Sequence, residues 1–141
     1  MQTLAEQMGG QVMSVDNKEF GHSELEIHVE SAILKGSDKK LNVWMSHGDQ
    51  VQDIPENFKL IASTSTAPIA VMEHKSLPIY ALQFHPEVTH TENGQNIIEN
   101  FILDICNANT EWKIDDIVNK RIEEIKEKVK NEKVLLGLSG G

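Results

Sequence analysis

The chain has 141 residues, a formal net charge of -9, 39% hydrophobic and 25% charged residues, and a single cysteine, Cys106. That length supports one ordinary domain with a real core, and the composition is globular. The acidic balance argues against a nucleic-acid surface, which needs clustered Lys and Arg. One cysteine excludes an intrachain disulfide and fits a reducing cytoplasm; no apolar run reaches the roughly 20 residues of a membrane span, and the N-terminus has no signal-peptide pattern.

In chain order, Met1–Met8 reads as a short helix with Leu4 and Met8 on one side, stopped by Gly9-Gly10. Residues Glu24–Glu30 alternate polar and apolar strictly, as a strand with one wet face does. Leu60–Ala62, Ile69–Met72 and Ile79–Phe84 are short apolar runs between turn residues and prolines, the pattern of more buried strands. From Asn93 to Cys106 the residues Ile97, Ile98, Phe101, Ile102 and Ile105 fall at helical spacing. A second helix is expected over Ile114–Lys130, with Ile114, Ile117, Val118, Ile122, Ile125 and Val129 on one face. Glu123, Glu124 and Glu127 alternate with Lys126, Lys128 and Lys130 on the other. The polar segment Asn107–Lys113 between these helices reads as a domain boundary. Lys133–Leu138 has the pattern of a buried strand running into the turn Ser139-Gly140-Gly141. A helix with no cap before it and a lone strand at the end make both termini read as cut.

Three stretches can carry chemistry. In Gln83-Phe84-His85-Pro86-Glu87-Val88-Thr89-His90, Pro86 holds the backbone extended, so His85 and Glu87 project to the same side. A carboxylate there can hold the imidazole tautomer and stabilise its protonated form, which equips a histidine as general base for a nucleophile. A surface turn with an incidental ion pair gives the same spacing. In Val43-Trp44-Met45-Ser46-His47-Gly48-Asp49 an apolar strand end leads into a polar, Gly-containing turn, which is either a substrate loop or an ordinary strand exit. Gly137-Leu138-Ser139-Gly140-Gly141 can form an anion-binding nest, though not a Walker A loop, and a plain turn fits as well.

Taken together and in this order, Trp44–Asp49, Gln83–Thr91 and Leu136–Gly141 resemble the glutamine-hydrolysing GMP synthetase family. His-Pro-Glu is shared by class I glutamine amidotransferases. The extension Val88-Thr89-His90 and the Leu-Ser-Gly-Gly ending point to the GMP synthetase branch, and the resemblance covers essentially the whole chain. It implies an α/β fold: the C-terminal half of a class I amidotransferase domain over residues 1–107, then residues 108–141 as a linker helix and the first strand of an adenine-nucleotide α-hydrolase-like ATP-pyrophosphatase domain.

In that family a Cys-His-Glu triad releases ammonia from glutamine, and the ammonia aminates an adenylylated XMP made with ATP and Mg2+. By the resemblance His85 is the general base and Glu87 its orienting carboxylate. Gln2, Ser46, His47, Gly48 and Asp49 contact the substrate glutamine, and Ser139, Gly140 and Gly141 begin the loop that holds ATP phosphates. Glutamine, XMP and ATP are then the parent's substrates, the parent is a cytoplasmic homo-oligomer, and neither nucleic acid nor membrane is a partner. The family's nucleophile lies in a Gly-x-Cys-x-Gly elbow just before the pair seen here as Met1-Gln2, and Cys106 reads as a packing cysteine at a helix end. The fragment alone is therefore expected to be inactive and to bind no ATP or Mg2+ firmly.

Two other readings follow from the residues. One is an amidotransferase-like binding module without catalysis. The other is a metal hydrolase assembled from His47, Asp49, His85, Glu87 and His90, which lacks any short ligand motif. His22, His28 and His74 read as structural or solvated. Losing central strands should leave apolar edges that associate. A thermal melt of the purified chain tests this: poor cooperativity with association is expected, and a sharp, reversible monomeric transition contradicts it.

Overall fold

The computed structural model describes residues 1–111 and 114–137; no side-chain description extends to residues 15–18 and 114–116. The chain divides into two compact units, Met1–Ala108 and Asn109–Gly141.

The first unit opens with helix α1 (Gln2–Gln7), which ends as the glycine pair requires: Gly9 takes φ 91°, a conformation natural only to glycine. Five strands follow: β1 (Gln11–Ile27), β2 (Lys40–Asp53), β3 (Phe58–Ser63), β4 (Val71–His74) and β5 (Tyr80–Leu82). They form one antiparallel sheet in the order β2-β1-β3-β4-β5. The long β1–β2 pair runs from Gln11↔Asp53 to Glu26↔Lys40, with register shifts at Gln11/Val12 and between Ser14 and Glu19. β1 meets β3 only at its end, through Glu26↔Ser63 and Ile27↔Ala62.

The expected strand at Glu24–Glu30 is the last part of β1, with Leu25 buried between exposed Glu24 and Glu26. It stops at Ile27. The runs at 60–62, 69–72 and 79–84 lie in or beside β3, β4 and β5. Two strand segments were not anticipated: residues 11–23 of β1, and the length of β2 beyond the strand end read at Val43–Met45. In β2 the expected strand exit at Ser46–Asp49 is instead continuous strand to Asp53, because β1 supplies partners for Ser46, His47 and Asp49.

Leu25, Leu41, Val43, Met45, Ile61, Val71, Phe84 and Ile97 pack into one core cluster. Ala5, Val51, Phe58, Ile69, Met72 and Ala81 form a second beneath α1. Strand alternation explains the first: Leu41, Val43 and Met45 point inward while Lys40, Asn42 and Ser46 stay exposed.

The sheet is curled, and a length argument shows why. In a flat sheet, strands about 4.8 Å apart would put β2 and β5 roughly 19 Å from each other. Yet the His85 N–H, three residues beyond the end of β5, donates to the Trp44 carbonyl of β2 at 3.0 Å. Three extended residues reach only about 10 Å. The two outer strands must therefore approach each other.

The helix expected over Asn93–Cys106 forms as α2 (Gly94–Glu99) and continues as a π-helical segment, Asn100–Ile105. Its wider turn brings Asn100 inward, where Nδ2 donates to the carbonyls of Ile33 (3.1 Å) and Lys35 (2.9 Å). Phe101 and Ile102, at helical spacing with Ile97, Ile98 and Ile105, are 40% and 43% exposed. Cys106 is likewise exposed rather than packed.

In the second unit, α3 (Ile114–Val129) matches the expected helix, with Arg121–Glu124 and Lys126–Glu123 ion pairs at 2.6 and 2.9 Å on its charged face. Such exposed pairs contribute little, about 0.3–0.5 kcal/mol each. Val134, Leu135 and Leu136 are exposed and form no strand, contrary to the buried strand expected there. A strand takes its hydrogen bonds from a neighbour, and none of the described residues of this unit supplies one. Among the described residues no helix is long and apolar enough to cross a membrane.

Leu25 has no exposed surface and belongs to the larger core cluster. Leu25→Ala should cost about 2–5 kcal/mol in urea denaturation; a loss under about 1 kcal/mol would show that this cluster does not hold the sheet together.

Candidate amidotransferase site

The site is built where the segment after β5 crosses onto the free edge of β2. On that edge the backbone groups of Asn42 and Trp44 face outward, and all four are satisfied by residues 85–92. His85 N–H donates to Trp44 O (3.0 Å), and Trp44 N–H donates to Thr91 Oγ1 (3.0 Å). Glu92 N–H donates to Asn42 O (2.9 Å), and Asn42 N–H donates to Glu92 Oε2 (2.7 Å). The two bonds from Asn42, backbone first and side chain second, hold the Glu92 carboxyl below its ordinary value.

At Pro86, whose ring fixes φ, the chain turns away from β2. The turn is backed by α2. Gly94 lies against the Pro86 carbonyl so closely that any Cβ would overlap it, so only glycine allows this approach.

Here the side chains of His85 and Glu87 meet as their spacing suggests. Glu87 Oε1 lies 2.8 Å from His85 Nδ1. With a carboxylate as partner, Nδ1 is the donor, which leaves Nε2 as the basic nitrogen. Both side chains are partly open, 42% and 59% exposed, so Nε2 can be reached from solvent. Its own backbone N–H first, and the His85 ring second, hold the Glu87 carboxyl below its ordinary 4.5.

A second polar junction lies beside it. Gln2 Nε2 donates to the Asp49 carbonyl (2.8 Å) and to Gln83 Oε1 (3.1 Å), while Gln83 Nε2 donates to the same Asp49 carbonyl (2.9 Å). The start of α1, the far part of β2 and the residue two before His85 are thus tied together. Gln83 and Thr91 were not singled out from the sequence. A glutamine inside an otherwise apolar strand run was the available signal, since such a side chain is buried only with partners.

The other expected glutamine contacts separate. Ser46 is exposed opposite Phe20, whereas His47 turns inward, with Nε2 3.2 Å from Glu19 Oε2 and Nδ1 without a partner among the described residues. Gly48 is half-buried, and Asp49 takes part through its carbonyl rather than its carboxylate. Alternation along a strand, rather than a loop, imposes this division. Ser139, Gly140 and Gly141 lie outside the described residues.

The remaining histidines have local roles. His74 Nδ1 accepts the N–H groups of Ser76 (3.1 Å) and Leu77 (3.0 Å), and His28 bonds Ser63 Oγ at 2.7 Å. His22 and His90 pack around Trp44, with ring centroids 5.2 and 4.7 Å from it. Among the described residues no group of three or more His, Cys, Asp or Glu side chains is placed to hold a metal ion.

The class I glutamine amidotransferase family model matches residues 1–105, and the chain belongs to that family. GMP synthase [glutamine-hydrolyzing] of Legionella pneumophila strain Philadelphia 1 is 50% identical over all of this chain and 28% of the relative. The enzyme of the same description from Vibrio cholerae is 48% identical, over all of this chain and 27% of its own length. The chain therefore spans little more than a quarter of the curated relatives it matches. Among solved structures, a GMP synthase subunit from Thermoplasma acidophilum superposes with a TM-score of 0.71 at 32% identity, covering 87% of this chain and 56% of that one. A Thermotoga maritima glutamine amidotransferase has a TM-score of 0.56 at 23% identity over 91% of this chain and 53% of its own, a likeness of fold alone.

The depressed Glu87 carboxyl carries a pH consequence. A carboxylate whose folded-state value lies below its unfolded one stabilises the folded loop above pH 4.5, and that contribution is lost as pH falls through the folded value. Carboxyl-carbon NMR should place the Glu87 midpoint below 4.5, and His85→Ala should move it only part of the way back, since the backbone N–H remains. A midpoint at or above 4.5 would mean the pair does not form in solution.

Proposed function

We propose that this chain is an internal part of a glutamine-hydrolysing GMP synthase and carries the C-terminal half of its glutaminase domain, with His85 as general base and Glu87 as its orienting carboxylate. The observation that carries this reading is the 2.8 Å bond from Glu87 to Nδ1 of a solvent-reachable His85. In the reaction so assigned, Nε2 takes the proton of a cysteine thiol, and the thiolate attacks the side-chain amide carbon of glutamine. Nε2 then returns the proton to the departing nitrogen, which leaves as ammonia, and water hydrolyses the thioester to glutamate. Glu87 stabilises the imidazolium formed between these steps. A thiol supplied from the family's Gly-x-Cys-x-Gly elbow is the nucleophile; Cys106, exposed beyond the π-helical segment, is assigned no part, so the 141-residue chain alone is inactive.

Gln2, held by the Asp49 carbonyl and by Gln83, is assigned to the substrate's polar backbone groups, together with the β2 stretch Ser46–Asp49. The parent then uses the ammonia to convert XMP to GMP with ATP and Mg2+, as a cytoplasmic homo-oligomer. Ser139, Gly140 and Gly141 are assigned to the ATP phosphates by family pattern alone, and no step is derived from them.

The test is glutamate release from glutamine by the protein expressed from the complete reading frame that contains this chain. His85→Ala should lower kcat by roughly 10²–10⁴-fold, the usual worth of a positioned base. Unchanged turnover in that variant would remove His85 from the chemistry.

A further inference from the structure

We propose that Thr91 is a positioning residue for His85, acting as a hydroxyl link inserted in place of a direct backbone bond from the Trp44 N–H to the His85 carbonyl. The proposal deepens the reading of His85 as general base and rests on it.

Both ends of the His85 backbone are tied to Trp44, one directly and one through Thr91. The His85 N–H donates directly to the Trp44 carbonyl at 3.0 Å. Its carbonyl does not pair with the Trp44 N–H. Thr91 Oγ1 stands between the two, donating to the His85 carbonyl at 2.6 Å and accepting from the Trp44 N–H at 3.0 Å. The result is an antiparallel bridge with one hydroxyl inserted, at the residue where proline leads the chain off the sheet. Thr91 is 6% exposed, so water does not readily substitute for the hydroxyl.

The link is itself held on both sides. Thr91 N–H donates to Val88 O (3.1 Å), and Gly94 N–H donates to Thr91 O (3.3 Å). Next in the chain, Glu92 is fixed to Asn42. The peptide plane between His85 and Pro86 therefore has one orientation, which fixes how the imidazole and the Glu87 carboxylate, hung from the same turn, face each other. A hydroxyl is required because the same atom must both donate and accept. Valine has the shape and neither capacity; serine keeps both.

The pair Thr91→Val and Thr91→Ser tests this in the protein expressed from the complete reading frame. Thr91→Val should lower kcat for glutamine hydrolysis by roughly 10²-fold with KM changed little, as expected for misplacing a base. Thr91→Ser should restore kcat to within about threefold of the unmodified protein. Thermal melting run in parallel separates misplacement from unfolding: a rate loss that merely follows the folded fraction overturns the proposal, as does full kcat in Thr91→Val where His85→Ala is impaired.

Ring-nitrogen NMR of His85 supplies a readout independent of glutaminase activity. The Nδ1–H tautomer should dominate in the unmodified protein and in Thr91→Ser, and give way to a mixture in Thr91→Val. An unchanged tautomer in Thr91→Val overturns the positioning role. Activity in every variant including His85→Ala would instead sink the assignment of His85, and the tautomer would still decide whether Thr91 holds the ring.

Discussion

Everything in the first unit depends on how the outer edge of β2 is satisfied. An edge strand offers backbone donors and acceptors that must find partners or water. Here four of them, on Asn42 and Trp44, are taken by the segment that follows β5 at the opposite side of the sheet. That single set of bonds makes the sheet curl, brings α2 onto the back of the loop, and shapes a core that holds Leu25, Val43, Met45, Ile61, Phe84 and Ile97 together. The catalytic candidates are a by-product of this junction, since they sit on the turn that makes it.

The junction also explains how a turn can hold an imidazole and a carboxylate accurately. His85 is still on the ladder through its N–H, while Glu87 is already off it. Between them Pro86 removes a donor and fixes its own dihedral, and Gly94 lets a helix start press directly on the Pro86 carbonyl. The motif is thus rigid for three separate reasons: an interstrand bond, a ring constraint and a steric backing. The amide junction of Gln2, Asp49 and Gln83 adds a fourth tie two residues upstream.

Much of this was legible in the sequence, unevenly. The His85–Glu87 contact follows from extended geometry and period two, and it formed. The Glu24–Glu26 alternation located the last part of β1. Burial along Lys40–His47 alternates as regularly, yet in the sequence Trp44 breaks the polar/apolar pattern and Ser46-His47-Gly48-Asp49 has a turn-like composition. Glycine and aspartate say "turn" locally, and only the long partner β1 overrides them. The same tertiary effect split the expected glutamine contacts, since a loop can present neighbouring side chains together and a strand cannot. The π-helical widening at Asn100 was invisible to helical spacing, because the gain that drives it, an amide reaching the carbonyls of Ile33 and Lys35, comes from residues more than 60 positions away. Thr91 escaped notice because a threonine's role as a two-way hydroxyl link exists only once two strands have been brought beside it.

The junction at β2 has a consequence for solubility as well as chemistry. An uncovered edge strand is a template on which another chain can add, and the segment 85–92 is what blunts this one. A change that loosens the turn would therefore expose a self-templating edge at the same moment that it misaligns the imidazole. Loss of turnover and a tendency to precipitate should travel together in variants of this region, so that selection for either property conserves the same few residues.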